Sequence, residues 1–154
     1  MPYTALDIAN AFIRMGLRDG RPVDPMKVQK LVYLAHGFNL ALLDKPLIRE
    51  RIEAWPYGPV VPTLYYALKH YRSQSITEEI GTPANLDSTT HGLLSQVWEK
   101  YGRRNAIDLS VLTHEQGYAW DIARKGCKQG SWSSPEITED LIRDEFIRRT
   151  RSSR

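Results

Sequence analysis

Apolar residues recur at helical spacing over much of the chain. In TALDIANAFIRMG, Ala5, Ala9, Phe12, Ile13 and Gly16 lie three and four residues apart, which predicts a first helix. Thr4 is placed to cap it. Asp7, three residues on, favours the first-turn amides and the helix dipole. The polar stretch RDGRPV ends this helix. A second begins at Asp24, with Pro25 at the first helical position, where its missing N–H is not needed. Leu31, Leu34, Ala35, Phe38 and Leu42 form its stripe, and Val28 and Val32 widen it. Only Lys27 and Lys30 remain as a narrow polar edge, so this helix belongs in the centre of a bundle.

The period then changes. KPLIRERIEAW alternates roughly between two faces, as a short extended segment does. Val61, Leu64, Leu68 and Tyr71 restore helical spacing, with Pro59 and Pro62 in or before the first turn. RSQSITEEIGTPANLDS reads as loop, with room for a strand at SITEEI. Leu94, Val97, Trp98 and Tyr101 define a fourth helix that stops at Gly102, and Asn105 with Asp108 opens another. Thr113 and Gln116 have capping-box spacing for a short helix through Trp120 and Ala123. KGCKQGSWSSP reads as loop. Thr138 then caps EDLIRDEFIRR, with Ile137 and Ile142 spaced as a hydrophobic staple.

The expected fold is mainly α: a compact single-domain bundle of about six or seven helices with at most a short β-hairpin. Residues 1–148 form the domain and 149–154 a basic, flexible C-terminal tail without an apolar residue to dock it. The 154 residues, 42% apolar and 25% charged, suffice for one core without a disulfide or a metal. No apolar run is long enough to span a membrane, MPYTALDIANAF lacks a basic signal region, and one cysteine fits a reducing compartment; a cytoplasmic protein is expected.

Candidate chemistry is thin. His36, His70, His91 and His114 show no metal-ligand spacing, and the single Cys127 cannot anchor a zinc site. No metal or other cofactor is therefore expected. His36 reads as a hydrogen-bonded structural histidine within the buried helix. His114 reads as local capping or packing beside Trp120. Cys127 has Lys128 beside it, a weak basis for nucleophilic catalysis, and neither a GxSxG elbow nor a phosphate-cradling loop occurs. Asp7, Glu53, Glu78, Glu79 and Asp108 show no pairing, so no catalytic residue is assigned. The net charge of +3 is mild, and five of the last twelve residues are arginine. MKVQKL offers Lys27, Gln29 and Lys30 to a DNA groove, a sparse set for a recognition helix, so DNA is disfavoured as a partner.

The run WPYGPVVP concentrates stiff and aromatic residues on one connection. Prolines fix φ and Gly58 permits a sharp turn, so it can serve as a structural corner. Rigid aromatics also make interface hot spots, so a partner-facing role stays open. Pro56 and Gly58 bracket Tyr57, which is expected to project outward, and Trp55 is expected to anchor inward.

QKLVYLAHGFNLAL, the KPLI step and IEAWPYGPVVPTLY together resemble the Panacea domain, also called the SocA-like or GepA-like family of bacterial and prophage proteins. LSVLTHEQGYAWDIAR is similar to the family's Leu-Thr-His segment followed by tryptophan, and ITEDLIRDEF also fits. The resemblance runs from about residue 4 to 148. Ala119 departs from the proline the family commonly has before the late tryptophan, and the arginine-rich end has no family counterpart.

The resemblance implies an antitoxin without enzymatic activity that binds and suppresses a cognate protein toxin. It also implies an alternative, an adaptor delivering that toxin to the ClpXP protease; a further alternative, from a different class, is a DNA-binding regulator of its own operon. A homo-oligomer is left open. Candidate partner-binding residues are Trp55, Tyr57, Gly58, Pro59, Val60, Tyr65, Lys27 and Lys30. Gln29, Leu31, His36, Pro62, His114 and Trp120 are assigned to the structural motif.

Overall fold

The computed structural model describes residues 2–126 and 134–152. Its helices are α1 (Ala5–Arg18), α2 (Pro25–Leu43), α3 (Pro62–Leu68), α4 (Ser88–Tyr101), α5 (Ala106–Thr113), α6 (Ala119–Lys125) and α7 (Glu139–Ser152). Strands β1 (Ile52–Trp55), β2 (Gly58–Val60) and β3 (Glu136–Ile137) form an antiparallel sheet in the order β2-β1-β3. The mainly helical expectation holds, and the hairpin gains a third strand. Cys127 and the loop around it lie outside the described residues.

The caps explain where the helices begin. Thr4 Oγ1 accepts from the Asp7 amide while the Asp7 carboxylate accepts from the Thr4 amide, a full capping box. Asp24 and Asn105 each accept from the amide three residues on, as expected. Asp87 does the same for α4, a cap the loop reading of that segment passed over. Thr113 is no N-cap: it is the last residue of α5, where its Oγ1 donates to the Leu109 carbonyl. The next helix starts instead after Tyr118.

α2 runs through the middle and packs most extensively against α7, α5, α1 and α4. Gly37 sits at the tightest of these crossings. A Cβ there would fall inside the Phe146 ring of α7, so a residue that weakens a helix interior is kept for close approach. Leu42 departs from its expected stripe. It is 57% exposed, because it lies in the last turn of α2 and lines an open cleft between α2, α4 and α7.

His36, buried in α2, accepts at Nδ1 from the amides of Leu47 (3.2 Å) and Ile48 (3.3 Å). It thereby holds the connection that leaves α2. No strand forms at SITEEI. Ile76 is instead a fully buried plug whose amide donates to Val23, and the Asn10 side chain pairs with both the amide and the carbonyl of Ile80. Side-chain clamps take the place of a ladder along this loop.

The boundary expected at residue 149 moves outward. α7 continues to Ser152, and Arg149 is 9% exposed. Its Nε donates to Glu145 (2.7 Å) and its Nη2 to the Leu112 carbonyl (2.6 Å), while its guanidinium stacks 4.3 Å from the Tyr118 ring centroid. A satisfied guanidinium can dock a helix end without an apolar residue. Glu145 completes the cluster, accepting from the Tyr33 hydroxyl (2.7 Å) and the Ala119 amide (3.2 Å).

Two predictions follow from these buried groups. Arg149→Ala strands the Glu145 carboxylate and should cost on the order of 3 kcal/mol in urea unfolding, with no such loss for a change at exposed Arg151. Burial also depresses the His36 pKa to about 4. The unfolded chain therefore binds the extra proton first, and stability should fall as pH drops from about 6.5 to about 4, by roughly 3 kcal/mol. Unfolding midpoints measured across that window should fall less steeply for His36→Gln.

Candidate partner-binding site

WPYGPVVP builds a two-residue hairpin turn, with Trp55 paired to Gly58 and Pro56 and Tyr57 at the tip. Gly58 takes φ 118°, a conformation that L side chains resist, and an added Cβ would lie 3.0 Å from Lys30 Nζ. Pro59 is tolerated because β2 is an edge strand. Pro62 then occupies the first position of α3.

The hairpin's backbone is held from several directions. Gln29 of α2 pairs with Val61 through two bonds of 3.0 Å, donating to its carbonyl and accepting from its amide. Lys30 Nζ donates to the Pro59 carbonyl (2.9 Å). From α5, Ser110 Oγ donates to the Tyr57 carbonyl (2.6 Å). From α6, Trp120 Nε1 donates to the Trp55 carbonyl (2.6 Å) and Arg124 to that of Ala54 (3.1 Å). His114, at the end of α5, has its ring 5.2 Å from that of Trp120. The side chains on the outer face therefore stand on a fixed base.

Those side chains are aromatic. Along β1, Ile52 and Ala54 are buried while Glu53 and Trp55 face out, so strand alternation overturns the inward placement of Trp55. Trp55 is half-buried, meets Tyr65 edge-on at 5.0 Å, and donates from Nε1 to Glu53 (2.9 Å). Tyr57 projects outward as expected, at 72% exposure. Tyr65 continues the row to the exposed Tyr66, 5.4 Å away.

Behind them lies a cleft of about 340 Å³ between the hairpin, the start of α2 and α3. Its lining brings together the expected Trp55, Tyr57, Val60, Tyr65 and Lys30. Gly58 and Pro59 are buried in the hairpin backbone rather than in this lining. Lys27 is elsewhere. Its Nζ donates to the Gly102 carbonyl at the C-terminal end of α4 and lies 5.4 Å from the Trp98 ring. Both lysines are buried, at 8% and 1% exposure, so the polar edge expected of α2 is interior. Lys69 and Arg72 also line the cleft. No helical period carried their signal: α3 ends at Leu68, and Arg72 takes φ 55° beyond it.

Comparison with known proteins places this hairpin in context. The model of the family described as "Antitoxin SocA-like, Panacea domain" matches residues 28–121, from α2 through the hairpin and into α6. The chain belongs to this family. Antitoxin SocA of Caulobacter vibrioides (strain NA1000 / CB15N) is 27% identical over 150 residues, covering 90% of this chain and 80% of that protein. No solved structure matches. The Panacea match thus contains the cleft-forming hairpin and both of its α2 tethers, while α7 lies beyond it. Among the described residues, no helix is long and apolar enough to cross a membrane and no group of three His, Cys, Asp or Glu could hold a metal.

Tyr57→Ala should leave the unfolding free energy within about 0.5 kcal/mol, as at other exposed positions. Trp55→Ala should cost less than the roughly 3–5 kcal/mol of a core aromatic, because half-buried Trp55 lies outside the core. Denaturant unfolding of the two variants checks both figures.

Proposed function

We propose that this Panacea-domain protein is a non-enzymatic antitoxin that neutralises a cognate protein toxin by direct contact, using the aromatic face of the β1–β2 hairpin and α3. The observation that carries the reading is the row Tyr57, Trp55, Tyr65 and Tyr66, exposed or half-buried above a backbone fixed by five side chains from three helices. Aromatics so held offer large contact area with little conformational entropy left to lose, which is the property of binding hot spots. Family membership supplies the class of partner. The DNA-binding reading loses its candidates, since Lys27 and Lys30 are tied to carbonyl groups in the interior.

The test is co-expression with the cognate toxin, followed by calorimetry on the purified pair. The wild-type protein should restore growth and form a stable complex. Tyr57→Ala should keep its melting temperature yet weaken the complex by about 2 kcal/mol or more, roughly thirtyfold. A correctly folded Tyr57→Ala variant that binds and protects at full strength would remove the hairpin from the interface.

A further inference from the structure

The cleft behind the aromatic row contains a charge that the fold does not need. Lys30 is 1% exposed, and among the described residues its Nζ has one hydrogen bond, to the Pro59 carbonyl, and no carboxylate partner. An ammonium carries three donors, so this buried group is under-satisfied. Burying a cation in this way is costly, and its pKa is drawn down to about 7 by desolvation. Tethering the hairpin does not require that cost. Gln29, the preceding residue, fastens the next part of the same segment with two neutral hydrogen bonds.

The surroundings point to what would complete Lys30. The charged residues lining the cleft are Lys30, Lys69 and Arg72, all cationic. The nearby Glu53 carboxylate is already engaged by the Trp55 indole and by Arg51 (3.2 Å). Lys30 shares the lining of the cleft with Met26, Val60, Tyr65 and Leu68. A phosphate would meet the cations but leave Met26, Val60, Tyr65 and Leu68 against a fully charged group. A carboxylate on a methylene stem gives the walls apolar contact and places one charge opposite the ammonium.

We propose that the cleft recognises an acidic side chain, Glu or Asp, flanked by apolar residues on a protein partner, with its carboxylate paired to Lys30 and Lys69 and Arg72 favouring its entry. The proposal rests on the antitoxin reading in that the partner segment belongs to the toxin. It deepens that reading by giving the chemistry the toxin must present. Contact with the aromatic row supplies area, and the buried charge supplies selectivity, because a neutral segment would leave Lys30 desolvated without a counter-charge.

A pair of short peptides tests this without the toxin. Acetyl-Leu-Glu-Phe-amide and its Gln counterpart are titrated into the full-length wild-type protein while the Gly58 and Val61 amides are followed by NMR. The Glu peptide should shift both amides and bind at least tenfold more tightly than the Gln peptide, and Lys30→Met should abolish the difference. Equal binding of the two peptides, shifts from neither, or equal shifts from inorganic phosphate would overturn the proposal. With purified toxin, Lys30→Met should weaken the complex at least tenfold. If Lys30→Met binds toxin normally while Tyr57→Ala does not, acidic recognition is overturned and the antitoxin reading stands. A wild-type protein that discriminates the peptides but never binds toxin keeps acidic recognition and loses the antitoxin reading.

Discussion

The burial of α2 is the constraint on which the rest of the structure depends. A helix enclosed by four others must satisfy every polar side chain it carries, and α2 carries them along most of its length. Lys27 reaches the end of α4, Gln29 and Lys30 the hairpin, Tyr33 the α7 carboxylate, His36 the Leu47 and Ile48 amides, and Asn39 the Lys45 carbonyl. Most of these bonds end on backbone at the ends of elements or in the connections between them. The polar residues of the central helix therefore do the work that neighbouring strands do in a sheet protein. The hairpin inherits its rigidity from this arrangement, and the aromatic row inherits it from the hairpin.

The same constraint separates what was legible in the sequence from what was not. Caps act over three residues, so Thr4, Asp24 and Asn105 could be read directly from the chain. Helical and strand periods are equally local, and the alternation that turns Trp55 outward was present in the sequence, though the size of the indole suggested the core. Lys27 and Lys30 were assigned to an outer edge because lysines usually end in water. Their acceptors, the Gly102 and Pro59 carbonyls, lie 75 and 29 residues away, and no local pattern identifies them. Asn10 with Ile80 and Arg149 with Leu112 escaped for the same reason. Of the candidate site, the aromatic residues were legible as residue types; their assembly with α3 and the start of α2 into one cleft was not.

α7 shows how far the fold reaches beyond the matched family segment. It lies outside residues 28–121, yet its Phe146 fills the space over Gly37 and its Glu145 accepts from Tyr33 of α2 and Ala119 of α6. Burial pushes the Glu145 carboxyl up, and the Arg149 guanidinium opposes that shift together with the Tyr33, Arg149 and Ala119 hydrogen bonds. A buried pair of this kind adds little net stability over an apolar substitute, but it tolerates no half-measure: each partner fixes where the other must lie. The cluster thereby sets the position of α7, and through Ala119 that of α6, whose Trp120 and Arg124 hold the outer side of the hairpin. The candidate site is thus braced from α2 on one side and, through α6, from α7 on the other.

The two buried lysines of α2 separate structural from recognitive charge. Lys27 lies where a cation is useful to the fold, at the C-terminal end of α4 with its negative dipole and beside the Trp98 face. Its charge has acceptors of the right kind without any partner. Lys30, a turn later on the same helix, has no carboxylate partner among the described residues, and its hydrogen bond goes to a carbonyl that a neutral donor could serve as well. The fold accounts for the lysine at position 27 and leaves the charge at position 30 without a structural use. Charging this desolvated, incompletely bonded amine beside the apolar residues of the cleft costs stability in the free protein, which is why its pKa is drawn down to about 7. That cost is recovered only when a partner brings an anion, which is how a binding surface makes its affinity depend on the right partner rather than on apolar area alone.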